Sequence, residues 1–300
     1  MSARTSDGTG GFASPAARRR FQLAYHRALA RLPEPSTEHD VPTRLGTVRV
    51  LQYGDGPGRP LMLLPGRGAT TALWLPQIPV WSRNRTVLAV EPLGDAGPSV
   101  PDRIPRTADD QAAWLADTVE GLGTGPAHAV GVSYGAWLAA NLAVRDPSAF
   151  ASLTMIEPAQ VLARFPMAFL PAALAASRFA PEPVRRRALR WIIGGGSLDT
   201  PTGRVTTAVA AGHRGAAVPP AMLSDDELRS LTLPVQVLLG AESRTHDAAR
   251  AARRARALLP DARVELVPGV GHSLSGERPD LVEARVLDFT AFQEGAPWPS

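Results

Sequence analysis

Ala129-Val130-Gly131-Val132-Ser133-Tyr134-Gly135-Ala136-Trp137 decides the fold of this chain. Its spacing matches the pattern G-x-S-x-G. A short apolar run, residues 128–130, leads into the match and predicts a buried strand. Residues 136–144 follow with no Gly or Pro, which predicts a helix. Strand, sharp turn and helix in this order are the context in which an exposed nucleophile occurs.

The predicted turn gives Ser133 its chemistry. The backbone at Ser133 must be strained, and Gly131 and Gly135 let the strand and the helix approach without a Cβ clash. The Ser133 hydroxyl is then exposed. The backbone N–H of Tyr134 lies at the helix N-terminus, where a developing oxyanion is stabilised. The stretch therefore predicts a serine nucleophile with one oxyanion-hole donor beside it.

Length and composition limit the class of protein. The 300 residues and 44% hydrophobic content suit one α/β domain with an insertion, or two small domains. The chain has no Cys, so it has neither disulfides nor thiolate chemistry, and we expect a cytoplasmic protein. No apolar run approaches the roughly 18 residues of a membrane span. No metal cluster or cofactor loop is visible, so we expect no cofactor.

The charge pattern favours no macromolecular partner. The formal net charge is +4, and every basic side chain apart from His is Arg. We interpret the clusters Arg18-Arg19-Arg20 and Arg185-Arg186-Arg187 as solvated helix faces, and expect neither nucleic acid nor membrane as a partner. A twin-arginine export signal is disfavoured because polar residues interrupt the stretch after Arg20, which predicts an amphipathic helix over 16–32 instead. The oligomeric state stays open.

Alternating strand and helix patterns predict an α/β fold. Such alternation favours a mostly parallel sheet with helices on both faces. It stops at residues 159–231, where Pro- and Gly-broken helices predict an insertion over one edge. We therefore expect a disordered N-terminus at 1–14, a core at 15–158 and 232–300, and a helical lid at 159–231. The predicted strands lie at 40–44, 47–53, 60–64, 85–91, 128–130, 152–156, 235–239 and 264–267.

A serine needs a base to attack at neutral pH, and His272 is the best-placed candidate. It lies in a Gly-flanked loop just after the last predicted strand, where catalytic groups gather in parallel sheets. His128 is inside the strand before Ser133, and we expect His246, at a helix start, to have a capping or surface role. The other histidines are His26, His39 and His213.

The chain resembles the α/β-hydrolase superfamily, and its bacterial serine esterases, from about Thr43 to Phe292. The resemblance rests on Leu64-Pro65-Gly66-Arg67-Gly68, Gly131-Val132-Ser133-Tyr134-Gly135 and Gly269-Val270-Gly271-His272. It implies an eight-stranded type of mostly parallel sheet with a helical lid, and an oxyanion hole formed by the N–H groups of Arg67 and Tyr134. Pro65 stands where family members usually carry His, which leaves the N–H of Arg67 available.

The position of the acid departs from the family pattern. Members usually carry the acid three residues past a Gly at the end of the strand after the lid. Past Gly240 that position is Ser243, and Glu242 comes one residue early. Glu157, at the end of the strand beside the nucleophile strand, is the alternative, and we expect Pro158 to hold it extended. We predict Glu157 as the acid and keep Glu242 as the competing candidate.

Two functions fit these residues. The first is a serine hydrolase that cleaves an ester, thioester or lactone through an acyl-enzyme on Ser133, with His272 as base and Glu157 as its partner. Its partner would be a small-molecule acyl substrate. The second is a non-hydrolytic protein of the same fold that binds a small molecule or tailors a natural product. An apolar stripe in the lid predicts either an acyl pocket or lid-to-core packing: Phe165, Met167, Phe169, Leu170, Leu174 and Phe179.

Overall fold

A twisted, mostly parallel sheet forms the centre of the molecule. The computed structural model describes residues 11–215 and 218–298. Eight strands run in the order β1-β2-β4-β3-β6-β7-β8-β9, and the two-residue β5 pairs with β2. The pairs from β4 through β9 in this order are parallel, while β2 is antiparallel to β1, β4 and β5. The strands are β1 (Thr37–Thr43), β2 (Gly46–Tyr53), β3 (Leu61–Leu64), β4 (Val87–Val90), β5 (Val100–Pro101), β6 (Ala127–Val132), β7 (Phe150–Ile156), β8 (Val235–Gly240) and β9 (Arg263–Val267).

Helices cover both faces of this sheet, which confirms the predicted fold class. Thr107 caps α3 through a reciprocal hydrogen-bonded pair with Asp110, and Asp247 caps α9. None of the described helices is long and apolar enough to cross a membrane. The helices are α1 (Pro15–Leu29), α2 (Ile78–Trp81), α3 (Ala108–Leu122), α4 (Tyr134–Arg145), α5 (Phe169–Ala175), α6 (Glu182–Ile192), α7 (Pro201–Gly212), α8 (Asp225–Arg229), α9 (Ala248–Leu258), α10 (Leu274–Glu277) and α11 (Pro279–Gln293).

Two hydrophobic cores result from the alternation of side chains along the buried strands. On β3, Met62 and Leu64 face the core formed with α3, α4 and α9. Leu61 and Leu63 face the opposite core, formed with α2 and α11. Because successive side chains of a strand point to opposite faces, a strand buried on both sides must be apolar throughout. The continuous apolar run that predicted β3 has this cause.

The N-terminal helix packs on the segment between β7 and β8. Phe21 and Tyr25 of α1 share a buried cluster with Val205 and Val209 of α7. Residues 1–10 of the predicted disordered segment 1–14 lie outside the described residues. Residues 11–14 differ from that prediction: Phe12 stacks on Phe21 with 4.9 Å between ring centroids, and residue 14 caps α1. Partial burial of the Phe12 ring supplies apolar contact that offsets ordering of the chain.

A buried carboxylate ties α1 to the sheet. Glu91, at the end of β4, is fully buried. Its Oε1 accepts hydrogen bonds from the Tyr25 hydroxyl at 2.8 Å and from the Thr71 N–H at 3.1 Å, while Oε2 is buried without a partner. Burial, which outweighs these hydrogen bonds, raises the pKa of Glu91 from 4.5 to about 7. The carboxylate therefore joins three elements while remaining costly to ionise.

We expect the stability of Glu91→Gln to depend less on pH, between pH 5 and pH 8, than the stability of the wild type. Between pH 4.5 and about 7 the folded wild-type protein keeps a proton at Glu91 that the unfolded chain has lost, so stability falls as pH rises through this window. Between pH 5 and pH 8 the unfolding free energy of the wild type should therefore fall by about 2 kcal/mol more than that of the variant. Urea unfolding of both proteins at the two pH values measures this difference. An identical pH dependence would contradict it.

Candidate active site

The strained turn at Ser133 is present between β6 and α4. Ser133 has φ 53° and ψ −110°, a conformation rare for residues other than glycine. A Cβ atom on Gly135 would lie 2.0 Å from the carbonyl oxygen of Leu64, and one on Gly131 would lie 2.5 Å from Cα of Ala136. Only glycine fits at these two positions. They bring β6, α4 and the end of β3 close together and leave Ser133 at the tip of the turn.

A continuous line of hydrogen bonds runs from Ser133 to Glu157. The Ser133 Oγ lies 3.1 Å from Nε2 of His272, and Nδ1 of His272 lies 3.0 Å from Oε2 of Glu157. His272 comes from the loop after β9, and Glu157 directly follows β7. Three separate elements therefore place their side chains at the carboxyl end of the parallel strands. A serine hydroxyl, an imidazole and a carboxylate in this order can move a proton away from the serine.

Glu157 is a buried anion with several donors. Its side chain is fully buried. Oε1 accepts the N–H of Gly240 at 2.6 Å, and Oε2 accepts the Ser243 hydroxyl at 2.5 Å. Burial acts to raise the pKa of Glu157, but the hydrogen bond and charge of His272, the charge of His246 and the Ser243 hydroxyl outweigh it and hold the pKa below its usual range. Glu157 is therefore ionised at neutral pH.

The backbone of Glu157 is not extended, and this part of the sequence prediction was wrong. Its φ is 51°, in the left-handed region. The Glu157 N–H still pairs with the carbonyl oxygen of Leu238 on β8, whereas two residues later the Ala159 N–H donates to the carbonyl of Ser133. The chain must turn sharply between these two hydrogen bonds. The usual preference of a residue before proline for extended backbone does not predict such a turn. Strained residues of this kind gather at functional sites.

Glu242, the competing candidate, lies apart from this line. Its side chain is exposed. Its backbone N–H donates to the carbonyl of Val270, and among the described residues its carboxylate makes no hydrogen bond to His272. Ser243 occupies the position at which α/β-hydrolases usually carry the acid, and its hydroxyl donates to Glu157. The geometry favours Glu157, whose role as the acid remains a prediction.

Thr245 and His246 also belong to this cluster, and the sequence interpretation missed them. Thr245 Oγ1 lies 3.0 Å from Nδ1 of His272 and 3.1 Å from Oγ of Ser243. His246 is buried, not on the surface, and its Nε2 lies 3.6 Å from Oε1 of Glu157. Burial lowers the pKa of His246. The available signal was a run of polar residues, 242–247, directly after a buried strand at the carboxyl edge of the sheet.

The loop after β3 lies against Ser133. A Cβ atom on Gly66 would be 3.5 Å from Cβ of Ser133. Two residues on, the Gly68 N–H donates to Oδ2 of Asp95 at 2.8 Å, which anchors the loop on the side away from Gly66. Arg67 lies between these two glycines, and Tyr134 is the first residue of α4. The pair of oxyanion donors at Arg67 and Tyr134 stays a prediction, and Asp95 is a further residue that the sequence interpretation missed.

The apolar stripe of the segment 159–231 is mostly on the surface. Only Phe165 and Phe169 are half-buried, and their rings stack with 4.0 Å between centroids. The stripe is not packed against the core, because α5, which carries much of it, buries no residue. Of the two alternatives that the sequence left open, lid-to-core packing is therefore wrong, and an acyl pocket stays a prediction. The exposed members are Met167 (94%), Leu170 (77%), Leu174 (68%) and Phe179 (75%).

Residues 11–215 and 218–298 contain no cluster of side chains suited to hold a metal ion. No group of three or more His, Asp or Glu side chains there is placed to hold a metal ion. The candidate site offers a hydroxyl, an imidazole, a carboxylate and backbone N–H groups. These are the groups that acyl transfer through a serine requires.

Comparison with known proteins gives relatives of the same architecture. Carboxylesterase YbfK of Bacillus subtilis is 30% identical over 282 residues, which cover 90% of this chain and 93% of the relative. The crystal structure of naproxen esterase (carboxylesterase NP) from Bacillus subtilis superposes with a TM-score of 0.84 at 29% identity, covering 90% of this chain and 97% of the other. That of carboxylesterase CesB (YbfK) gives 0.85 at 28% identity, with 91% and 98% covered.

The family model also covers most of the chain. It describes the alpha/beta hydrolase family and matches residues 61–285. The match begins at β3 and includes the Ser133 turn, Glu157 and His272. With this match and the relatives described above, the chain belongs to the alpha/beta hydrolase family.

Proposed function

We propose that the protein is a serine hydrolase that cleaves a carboxylic ester through an acyl-enzyme on Ser133. The observation that carries the proposal is the unbroken set of hydrogen bonds from Ser133 through His272 to Glu157. Similarity over nearly the whole chain to proteins named as carboxylesterases supports the ester as the bond cleaved. Thioesters and lactones present the same electrophilic carbonyl and belong to the proposed substrate class.

The first half of the reaction forms the acyl-enzyme. Ser133 Oγ attacks the carbonyl carbon while its proton passes to Nε2 of His272. The carbonyl oxygen becomes an oxyanion, which the N–H groups of Arg67 and Tyr134 stabilise. Glu157 stabilises the imidazolium and keeps the His272 proton on Nδ1. As the intermediate collapses, the bond to the alcohol oxygen breaks, and His272 gives its proton to the leaving alkoxide.

The second half returns the free enzyme. A water molecule gives its proton to Nε2 of His272 and attacks the acyl carbon. The same two N–H groups stabilise the second oxyanion. The bond between the acyl carbon and Ser133 Oγ then breaks, and the proton on His272 returns to the serine oxygen. A carboxylic acid leaves, and the cycle consumes one water for each ester.

Residues 159–231 form the lid in this proposal. Their contacts with the site support the assignment. A Cβ on Gly194 would lie 3.2 Å from Cα of Gly271, next to His272. The Tyr134 hydroxyl donates to the carbonyl of Val218 at 3.0 Å, and Nε1 of Trp137 donates to the carbonyl of Ala221 at 2.9 Å. The segment thus contacts both the loop that carries His272 and the helix that follows Ser133.

Covalent labelling separates a hydrolase from a binding protein of the same fold. A fluorophosphonate is attacked by a serine only where a base and an oxyanion hole activate it. We expect the native protein to be labelled at Ser133, identified by peptide mass, and heat-denatured protein to remain unlabelled. A native protein that binds an ester analogue but shows no label at Ser133 would favour the non-hydrolytic function.

A further inference from the structure

A cationic groove lies between α1, α6 and α7. It has a volume of about 700 Å³, and none of the residues of the candidate active site lines it. Ligand sites of small organic molecules typically have volumes of about 300–1,000 Å³, so the groove is large enough for one. Six arginines line it: Arg20, Arg27, Arg31, Arg185, Arg186 and Arg204.

The groove concentrates the charge of the protein. Against its six arginines stand two acids, Glu182 and Asp199, so the local excess of four equals the formal net charge of the whole chain. The sequence suggested two separate solvated clusters of arginine. The fold instead brings Arg20 of the first cluster and two arginines of the second into one concave surface. Like charges gathered in this way repel one another unless an anion lies between them.

The acids of the groove leave most of these arginines unpaired. Asp199 is engaged by Arg186 at 2.9 Å, and the backbone carbonyl of Asp199 accepts Nε of Arg204 at 3.2 Å. In the part of the chain that the structure describes, Arg20, Arg27 and Arg31 have no carboxylate within 4.0 Å. Two guanidinium groups on α1, and that of Arg31 just after it, therefore have donors that no carboxylate engages.

Arg185 is the buried member of the set. It is only 9% exposed. One terminal nitrogen donates to the carbonyl of Ala180 at 2.8 Å, but Nε is buried with no hydrogen-bond partner. A buried charged donor without a partner costs free energy. Arg185 therefore adds a largely buried positive charge to the wall of the groove.

Apart from Thr207 and the two acids, the rest of the lining is aliphatic. The groove contains small and branched apolar side chains and no aromatic ring, so it offers no stacking surface for a nucleic-acid base. Leu23 is 53% exposed beside these arginines. Apolar surface next to guanidinium groups suits a ligand that has an anionic end and an aliphatic end. The apolar lining residues are Leu23, Ala24, Ala28, Leu198, Ala208 and Ala211.

We propose that this groove binds an amphiphilic anion, a carboxylate or phosphate head group carried on a short aliphatic chain. The planar guanidinium fork matches both oxyanions through paired hydrogen bonds. The aliphatic chain lies along the apolar lining, where its removal from water adds affinity. The concave shape and volume suit a single molecule better than the surface of a bilayer. The proposal is independent of the reaction at Ser133.

Calorimetric titration of the full chain with octyl phosphate tests the site. Octanoate distinguishes a carboxylate from a phosphate source, and inorganic phosphate and neutral octyl glucoside separate the contributions of charge and chain. We expect octyl phosphate or octanoate to bind more tightly than both comparators. Arg20→Gln/Arg27→Gln should weaken that binding by about tenfold or more, since each substitution removes a charged hydrogen-bond donor.

A charge-matched variant supplies the control. Arg19→Gln/Arg187→Gln removes the same net charge, one arginine from each of the two sequence clusters, but neither residue lines the groove. Arg19 and Arg187 are exposed, as are Arg20 and Arg27, and glutamine is as compatible with a helix as arginine, so both double variants should fold. The control should bind octyl phosphate within about twofold of wild type, because long-range charge alone contributes little at moderate salt.

Four outcomes would overturn the proposal. Equal weakening by both double variants would mean non-specific charge attraction. Equal affinity for inorganic phosphate and octyl phosphate would mean that the apolar lining contributes nothing, and equal affinity for octyl glucoside would mean that the arginines contribute nothing. Sedimentation with vesicles of anionic phospholipid, without binding of monomeric octyl phosphate or octanoate, would show instead that this face docks on a membrane.

Discussion

Ser133→Ala is expected to lower the hydrolysis of p-nitrophenyl esters to the background rate, a fall of about 10⁶-fold in kcat. The substitution removes the oxygen that attacks the carbonyl and leaves the rest of the line intact. The turn itself should survive, because its hydrogen bonds are made by the main chain: the Ser133 N–H donates to Ile156, and the Ser133 carbonyl accepts from Trp137.

Near-ultraviolet circular dichroism and the melting temperature of the variant verify that it is folded. A second control is the binding of a substrate-sized ester, which does not require the serine oxygen and should be retained. Turnover at more than a trace of the wild-type rate in a folded Ser133→Ala protein would exclude the proposed acyl-enzyme. A residual rate near that of oxyanion stabilisation alone is compatible with it.

Glu157→Gln is expected to lower kcat by about 10⁴-fold, the effect of replacing the orienting acid by its amide. The carboxylate now accepts from the N–H of Gly240, the hydroxyl of Ser243 and Nδ1 of His272. An amide has one acceptor oxygen in place of two and no charge. It therefore neither holds His272 in the tautomer with the proton on Nδ1 nor stabilises the imidazolium.

Glu242→Gln is the matched control, with an expected change in kcat of less than about twofold, since an exposed side chain of this kind contributes little. Both variants make the same change of charge and shape, and they differ only in position: Glu157 is buried and Glu242 is exposed. A large loss in Glu242→Gln with near-normal activity in Glu157→Gln would contradict the assignment of the acid. Melting temperatures separate loss of activity from loss of fold.

Much of the fold follows from patterns that neighbouring residues carry. The apolar run of β3 predicts a strand buried on both faces, and the structure buries all four of its residues. The glycines around Ser133 predict a close approach of strand and helix. The structure shows it, since a Cβ atom added to Gly131 or Gly135 would lie only 2.0–2.5 Å from neighbouring backbone atoms. The caps at Thr107 and Asp247 are likewise encoded within three residues of the positions they serve.

The site is predictable to a smaller degree. The sequence predicts Ser133 and His272 as site residues because each lies in a recognisable turn at the end of a strand, and the structure places the two side chains 3.1 Å apart. Glu157 is predicted as the acid from its position at a strand end, but the extended backbone expected there is wrong, since its φ is 51° and its neighbours bond to two different elements. Asp95 anchors the loop after β3 by accepting a hydrogen bond from the Gly68 N–H. The two residues are 27 positions apart, and no local pattern indicates their contact.

Local sequence thus determined the alternation of strands and helices, the Ser133 turn and the position of His272, because hydrophobic period and glycine placement act over a few residues. Tertiary structure alone decided which charged and polar groups meet. It buried His246 beside Glu157, turned the apolar stripe of α5 outward and brought arginines from α1, α6 and α7 into one groove. Electrostatic and hydrogen-bonding partners come from distant segments, and their meeting depends on how the packed elements are oriented.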